Sequence, residues 1–229
     1  MHIQTVFLDA GGVLVHPNWE RVSETLAQHS IIVAATRLRS AEPIVKKRMD
    51  TAEIIRTTND GDRFSAYLRM VIREAGVAES ENIAQPLEEL IAYNNRWNLW
   101  ETIPPDVKPT LDILRKAGMK LVVLSNSNGT LRESFGRLGL LDKVDLLFDS
   151  HEEGIEKPDP AYFHRALERS HSSAATTVHV GDFYHVDVVG ARSAGIRPIL
   201  LDGANLYEGC DCERTRVLSE IVGSIIPNL

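Results

Sequence analysis

The sequence predicts an α/β fold in which helices cover a parallel β-sheet and an all-helical segment is inserted into the chain. Short, mainly apolar runs predict the strands, because parallel strands are buried on both faces. These runs are Val6–Leu8, Leu121–Leu124, Leu146–Phe148, Val178–Val180 and Ile199–Leu201. From about residue 101 onward the runs alternate with helical patterns, as strands and helices do in a chain of β-α-β units.

The stretch between the first two apolar runs predicts helices and no strand. Within residues 15–100, apolar residues recur three and four positions apart, which places them on one face of a helix. The first such face consists of Trp19, Val22 and Leu26. It follows Asn18, a residue type that caps helix N-termini well.

We therefore predict two domains, a core of residues 1–14 and 101–229 and a helical insert of residues 15–100. A chain of 229 residues is long enough for a large core with an inserted lobe. Pro43 is expected to kink or interrupt a helix drawn through residues 34–56, because proline lacks the N–H that a helix interior needs.

Charge and hydropathy argue against two classes of protein. The 25 Lys and Arg and 32 Asp and Glu residues give a net charge of −7, with no basic run to offset it, so we expect no nucleic acid partner. No segment approaches the roughly 20 consecutive apolar residues of a membrane helix, so we expect no membrane association.

A reducing cytoplasm is the expected compartment. The chain has only two cysteines, Cys210 and Cys212, and its N-terminus lacks a signal-peptide pattern.

The first candidate for chemistry is Asp9, which ends the first strand and is followed by Gly11 and Gly12. In open α/β sheets, ligands bind outside the carboxyl ends of the strands. Glycines there let backbone N–H groups approach an anion or a metal closely. The alternative is an aspartate that merely caps a turn.

Two further segments offer groups suited to phosphate. Ser125 and Asn126 follow the second apolar run, where a hydroxyl can donate to a phosphate oxygen beside a helix N-terminus or simply cap that helix. Lys157 stands just before Pro158, which is expected to open a helix, and a lysine fixed there is a positioned cation. The alternative for Lys157 is a solvated surface lysine.

The last segment carries two carboxylates, Asp182 at a strand end and Asp187 in the first turn of the next helix. At this spacing they can converge on one cation. Mg²⁺ prefers oxygen ligands, usually one or two carboxylates completed by water and substrate phosphate. The alternative is that one of the two aspartates only caps the helix.

In this order, the four segments resemble the haloacid dehalogenase-like hydrolase superfamily, in the branch with a helical cap inserted after the first strand. The family pattern is Asp-x-Asp-Gly-Thr/Val-Leu, then a strand ending in Ser or Thr, then Lys-Pro before a helix, then Gly-Asp-x-x-x-x-Asp. This sequence supplies Asp9, Ser125, Lys157, Asp182 and Asp187 in register. The resemblance covers nearly the whole chain.

The resemblance implies a Rossmann-like core and, most often, a Mg²⁺-dependent phosphatase that acts on a small phosphorylated molecule through an aspartyl-phosphate. Asp9 would be the nucleophile. Mg²⁺ would be held by Asp9, Asp182 and the backbone carbonyl of Gly11, with Asp187 as a further ligand or an orienting group.

The same resemblance implies how the substrate is held. Ser125, Asn126 and Lys157 would bind the phosphoryl oxygens. The helical insert would act as a cap that excludes water and contacts the leaving group, so that residues 15–100 set the specificity.

One position departs from the family pattern. Gly11 stands where typical phosphatases of the family carry a second aspartate, which acts as general acid and base. Glycine keeps the backbone carbonyl for the metal but cannot move a proton, which predicts a slower enzyme, a good leaving group or a substitute donor. Candidate donors near the motifs in sequence are His16, His151 and His185, each of which is otherwise a solvated loop histidine.

Two other functions remain open at the level of sequence. Dehalogenases of the superfamily that act on 2-haloacids also lack the second aspartate, but they need no metal and usually lack the acid pair present here as Asp182 and Asp187. A non-enzymatic descendant that binds a phosphometabolite or a protein partner is also compatible with Gly11.

Overall fold

The computed structural model describes residues 2–58 and 60–226, and describes side chains at all of them except 60–62. Met1, Asn59 and residues 227–229, which belong to the predicted domains, lie outside the described residues. The chain divides into two compact units. Met1–His16 and Thr102–Leu229 form one, the sheet unit, and Pro17–Glu101 form the other, the helical unit.

The elements alternate in the sheet unit and are almost entirely helical in the other. In chain order the strands are β1 (Thr5–Leu8), β2 (His16–Pro17), β3 (Trp100–Thr102), β4 (Lys120–Ser125), β5 (Leu146–Asp149), β6 (Thr177–Gly181), β7 (Arg197–Leu201) and β8 (Glu213–Thr215). The helices are α1 (Trp19–Gln28), α2 (Ala35–Met49), α3 (Ala52–Thr57), α4 (Asp60–Glu74), α5 (Ala84–Trp97), α6 (Val107–Lys116), α7 (Leu131–Leu138), α8 (Ser150–Glu153), α9 (Pro160–Arg169), α10 (Val189–Ser193) and α11 (Ile221–Ile225). A π-helix, Tyr184–Val188, leads directly into α10.

The sheet unit is built on six parallel strands in the order β5-β4-β1-β6-β7-β8. The predicted α/β class is confirmed. Leu8 of the central strand β1 lies opposite Val123 of β4 and Val180 of β6. Because the carboxyl ends of parallel strands share one edge of a sheet, the residues that follow β1, β4 and β6 emerge side by side.

The helical unit has its own apolar core, to which α1, α2, α4 and α5 each contribute. As predicted, Asn18 caps α1, its side chain accepting a hydrogen bond from the N–H of Arg21 at 3.0 Å. A buried carboxylate, Glu42, lies in this core and accepts hydrogen bonds from Trp19 Nε1 at 3.2 Å and the Tyr67 hydroxyl at 3.0 Å. Both polar groups of these aromatic side chains are thereby satisfied in the interior.

The predicted interruption at Pro43 is wrong, because α2 runs through this residue without a break, while a kink at Pro43 stays a prediction. The helix drawn through residues 34–56 is divided further on, where Thr51 caps α3 by accepting a backbone N–H with its hydroxyl. Leu38 and Val45, on either side of Pro43, are completely buried. Burial of this face offsets the hydrogen bond that proline removes from the helix.

The sequence pattern does not predict three short strands, β2, β3 and β8. β2 pairs with β3 in a separate two-stranded sheet, although no strand is predicted within residues 15–100. β8 forms the edge of the main sheet and contains Glu213 and Arg214, so it lacks the apolar run that marks the other strands. Strands of two or three residues are too short to leave a periodic pattern.

Candidate active site

Three carboxylates converge at the carboxyl edge of the main sheet. Asp9 follows β1, Asp182 follows β6, and Asp187 lies in the π-helix after β6. One oxygen of each lies within 4.8 Å of an oxygen of the others. The Asp9 side chain is 13% exposed, whereas Asp182 and Asp187 are buried. The sheet topology thus brings together aspartates that are far apart in the sequence.

Lys157 lies between two of these carboxylates. Its side chain is only 1% exposed, and Nζ is 2.9 Å from Asp9 Oδ1 and 2.7 Å from Asp187 Oδ1. The Asn126 amide fixes the backbone of this lysine, accepting its N–H at 2.8 Å and donating to its carbonyl at 2.9 Å. Lys157 is therefore a buried, positioned cation, and the interpretation as a solvated surface lysine does not hold.

The charges of the site influence one another strongly. Burial raises the pKa of Asp9, against the opposing effect of Lys157, and the charge of Asp187 raises it further. Burial also disfavours the charged forms of Asp187 and Lys157, but the pairing charges prevail. They hold the pKa of Asp187 well below its usual value and that of Lys157 above it.

The donor set suits a hard divalent cation. When all three carboxylates are ionised, the single ammonium leaves two negative charges uncompensated in a largely buried site. Such an excess is costly unless it is compensated, and a divalent cation with oxygen ligands would compensate it fully. The residues of this cluster therefore could bind Mg²⁺.

Asp187 is held by four donors. Its Oδ1 accepts from Lys157 Nζ at 2.7 Å and from His179 Nε2 at 2.9 Å. Its Oδ2 accepts from the backbone N–H groups of Asp182 at 3.2 Å and Phe183 at 3.0 Å. This carboxylate therefore connects the turn after β6 with the lysine.

Gly181 is required for this arrangement, and we expect its replacement by alanine to destabilise the protein. A Cβ at this position would lie 2.1 Å from Asp187 Cγ, and the four donors oppose a shift of that carboxylate. The free energy of unfolding should fall by about 1–3 kcal/mol, the usual cost of overpacking, as measured by urea titration. In the control Gly136→Ala, the new Cβ in α7 has no neighbour within 4 Å, so stability should hold or rise. A Gly181→Ala protein as stable as the control would contradict the close packing.

The neighbouring strand end is organised around Ser125. This buried residue ends β4, and its backbone carbonyl accepts a hydrogen bond from the Tyr162 hydroxyl at 3.1 Å. Opposite it in β5 lies Asp149, which is fully buried. The Asp149 carboxylate accepts hydrogen bonds from the backbone N–H groups of Gly129 and His151, each at 3.0 Å. These bonds fix the loop after Ser125 and orient its backbone amides.

The sequence did not reveal three residues of this site. Asp149 ends a strand just as Asp9 and Asp182 do, so the strand-end argument could have found it. His179 interrupts the apolar run of β6 with a polar side chain, and this is a visible signal. Tyr162 belongs to the apolar face of α9, and nothing in that pattern marks its hydroxyl as a partner of Ser125.

Gly11 and the three candidate histidines occupy different surroundings. Gly11 pairs with Val15 in the turn after β1 and, unlike Gly12 with φ of 76°, has no positive φ. His16 begins β2, His151 is exposed in α8, and His185 lies in the π-helix against the ring of Tyr184. A substitute proton donor among these histidines stays a prediction.

Cys210 and Cys212 are free thiols in a half-buried loop, with their sulfur atoms 3.4 Å apart. Burial, together with Cys210, raises the pKa of Cys212 to about 12.

No helix in the described part of the chain is long and apolar enough to cross a membrane.

Comparison with known proteins identifies relatives of several kinds. A family model described as haloacid dehalogenase-like hydrolase matches residues 3–195. The haloacid dehalogenase-like hydrolase domain-containing protein 3 of Bos taurus is 32% identical over 136 residues, 59% of this chain and 54% of that protein. The ribulose-1,5-bisphosphate 5-phosphatase of Halopiger xanaduensis is 37% identical over 102 residues, 44% of this chain and 43% of that protein. The chain spans about half the length of the curated relatives it matches.

Among solved structures, a 2-haloacid dehalogenase from Pseudomonas syringae pv. tomato is similar over almost the whole chain. It is 27% identical, with a TM-score of 0.60 and coverage of 98% of both chains.

Proposed function

The chain belongs to the haloacid dehalogenase-like hydrolase family, and from this we propose that it is a Mg²⁺-dependent phosphatase that acts on a small phosphorylated molecule through an aspartyl-phosphate. One observation carries the proposal. The carboxylate of Asp9 is held by the buried Lys157 and shares a cluster with Asp182 and Asp187. A nucleophile, a fixed cation and further oxygen ligands are the groups that phosphoryl transfer needs.

Asp9 is the proposed nucleophile. Its Oδ1 accepts hydrogen bonds from Lys157 at 2.9 Å and from the Ala10 N–H at 2.7 Å. Among the described residues, these two donors to the Asp9 carboxylate both contact Oδ1 and not Oδ2. Oδ2 is therefore the oxygen that attacks phosphorus, while the bond to the leaving oxygen breaks. Water then attacks the aspartyl-phosphate, releases inorganic phosphate and regenerates Asp9.

The other residues of the edge would hold the phosphoryl group. The ammonium of Lys157 offsets the combined negative charge of the phosphoryl oxygens and the Asp9 carboxylate. Ser125 is proposed to bind a phosphoryl oxygen with its hydroxyl. The side chain of Asn126 is engaged with the backbone of Lys157, so its contact with substrate is assigned to the backbone amide. Mg²⁺, held by Asp9, Asp182 and the Gly11 carbonyl, would supply further charge compensation when bound.

The helical unit is the proposed source of specificity. In chain order it lies between β1 and the rest of the sheet unit, and this position supports its assignment as the helical cap of the family. A cap of this kind excludes water and contacts the part of the substrate that leaves. A small phosphate ester is the proposed substrate class, in keeping with the ribulose-1,5-bisphosphate 5-phosphatase, one of the relatives.

The proposal is tested by comparing two product assays. We expect phosphate release from p-nitrophenyl phosphate that requires Mg²⁺ and stops when the metal is chelated. We expect no chloride release from 2-chloropropionate. Chloride release that persists in the chelator would establish a dehalogenase instead, and absence of both products would favour the non-enzymatic binding protein.

Two observations favour the dehalogenase alternative: the similarity to a 2-haloacid dehalogenase, and Gly11, which stands where dehalogenases also lack the second aspartate. The carboxylate cluster weighs against it. A halide needs no metal to leave, so a reaction without a metal gives no reason to bury Asp182 and Asp187 beside the nucleophile.

Gly11 leads to a prediction about the leaving group. Without an acid beside the leaving oxygen, an alkoxide departs nearly unprotonated, so aryl phosphates should react much faster than alkyl phosphates. Gly11→Asp should then raise alkyl-phosphate turnover more than aryl-phosphate turnover, and the φ of Gly11 is compatible with a side chain. The measurement is the ratio of kcat/KM for the two esters in both proteins, with an unfolding curve as control. An unchanged ratio in a folded variant would mean that another residue already supplies the proton.

A further inference from the structure

His179 is a buried histidine that the reaction as proposed above does not use. It lies in β6, opposite Phe7 of β1 and Pro198 of β7, and is completely buried. Its ring meets the ring of Phe163 edge-on, with centroids 5.1 Å apart and an interplanar angle of 87°. Nε2 is 2.9 Å from Asp187 Oδ1, while Nδ1 is buried and has no hydrogen-bond partner among the described residues.

Such a residue is a poor choice for packing alone. A buried ring nitrogen without a partner is destabilising, and an apolar side chain between Val178 and Val180 would avoid the loss. The only polar partner of the ring in the described chain is Asp187. Because this partner is a carboxylate, Nε2 carries the proton and donates it. The contact with Asp187 is therefore the property that distinguishes histidine from an apolar residue here.

The hydrogen bonds of Asp187 show what this contact does. An ionised carboxylate has about four lone-pair positions. Lys157 and two backbone N–H groups occupy three of them, and His179 occupies the fourth. No position is left for a metal ion. Asp9, by comparison, accepts from one side chain, that of Lys157, and from one backbone N–H, that of Ala10.

We propose that His179 is a positioning residue that fills the last acceptor position of Asp187 and so keeps this carboxylate on Lys157 and off the metal ion. The inference rests on the proposed function. Of the two roles that the family pattern leaves open for Asp187, it selects the orienting group over the ligand. His179 acts at a distance from the substrate, through Asp187 and Lys157 to the Asp9 carboxylate.

The kinetic test compares His179→Leu, which removes the donor at similar volume, with His179→Gln, whose amide N–H can replace Nε2. In His179→Leu we expect kcat for p-nitrophenyl phosphate to fall about 10–100-fold, as for other residues behind an active site. KM should change little, since Lys157 acts mainly in the transition state. His179→Gln should recover most of kcat. If His179→Leu does not fold, His179→Asn, with an amide too short to reach Asp187, takes its place.

A second test uses Mg²⁺ alone and needs no turnover. Calorimetry should find Mg²⁺ binding weakened at least about tenfold in Asp182→Asn, the loss expected for a ligand, and little changed in Asp187→Asn. His179→Leu, which frees one acceptor position on Asp187, should not weaken Mg²⁺ binding. Equal losses in Asp182→Asn and Asp187→Asn would make Asp187 a metal ligand and overturn the inference.

Two kinetic results would also overturn it. The first is an unchanged kcat in His179→Leu. The second is a folded His179→Gln protein with a kcat as low as that of His179→Leu, because His179 would then serve packing and not hydrogen bonding. An inactive wild-type protein would contradict the proposed function, while the Mg²⁺ titrations would still decide the role of Asp187.

Discussion

Asp9→Asn is expected to lose about 10⁶-fold in kcat, the scale of loss when a covalent nucleophile is removed. The amide has nearly the same shape as the carboxylate but cannot attack phosphorus, and it no longer contributes charge to a metal. Stability should not fall with activity, because the change removes one of three mutually repelling carboxylates and leaves Lys157 paired with Asp187. The measurements are Mg²⁺-dependent hydrolysis of p-nitrophenyl phosphate and thermal unfolding of the same samples.

A surface aspartate provides the matched control. Asp112 pairs with Lys143 at 2.7 Å outside the site, so Asp112→Asn should keep wild-type kcat. Mass spectrometry of the quenched wild-type reaction should find the phosphoryl group on the peptide that contains Asp9, and Asp9→Asn should lack it. Mg²⁺-dependent turnover in Asp9→Asn would contradict the nucleophile assignment.

The strand ends of the site could be predicted because they follow from local pattern. A buried parallel strand leaves a continuous apolar run, and the polar residue after the run lies at the edge where other strands also end. Asp9, Ser125 and Asp182 were found by this argument alone. The same argument fails for β8, where an edge strand with charged residues has no apolar run.

The contacts within the site could not be predicted, since they join residues far apart in the chain. Lys157 looks in sequence like any lysine before a helix, and only the fold brings its ammonium to Asp9 and Asp187. His179 is one polar residue in an apolar strand, and its value depends on where the π-helix places Asp187. Pro43 shows the converse, because α2, with a buried face, continues through a residue that locally predicts an interruption.

Lys157→Met is the second change with a large expected effect, and it acts on both activity and stability. Methionine fills a similar volume without charge, so the phosphoryl group loses a preorganised cation, which should lower kcat about 10²–10³-fold. Asp9 and Asp187 would also face each other without the ammonium that now lies between them. Breaking a buried ion pair typically lowers the free energy of unfolding by about 3–5 kcal/mol, and added Mg²⁺ should restore part of it by binding the folded state.

Lys143→Met is the control for this change, because it also removes one lysine from an ion pair but does so at the surface. Kinetics and urea unfolding, each with and without Mg²⁺, should separate the two variants. The surface variant should keep kcat and lose little stability, because solvent screens an exposed ion pair. If Lys157→Met behaved like the surface variant in both measurements, the ammonium would be neither a support for the carboxylates nor a partner of the phosphoryl group, and the proposed mechanism would lose its cation.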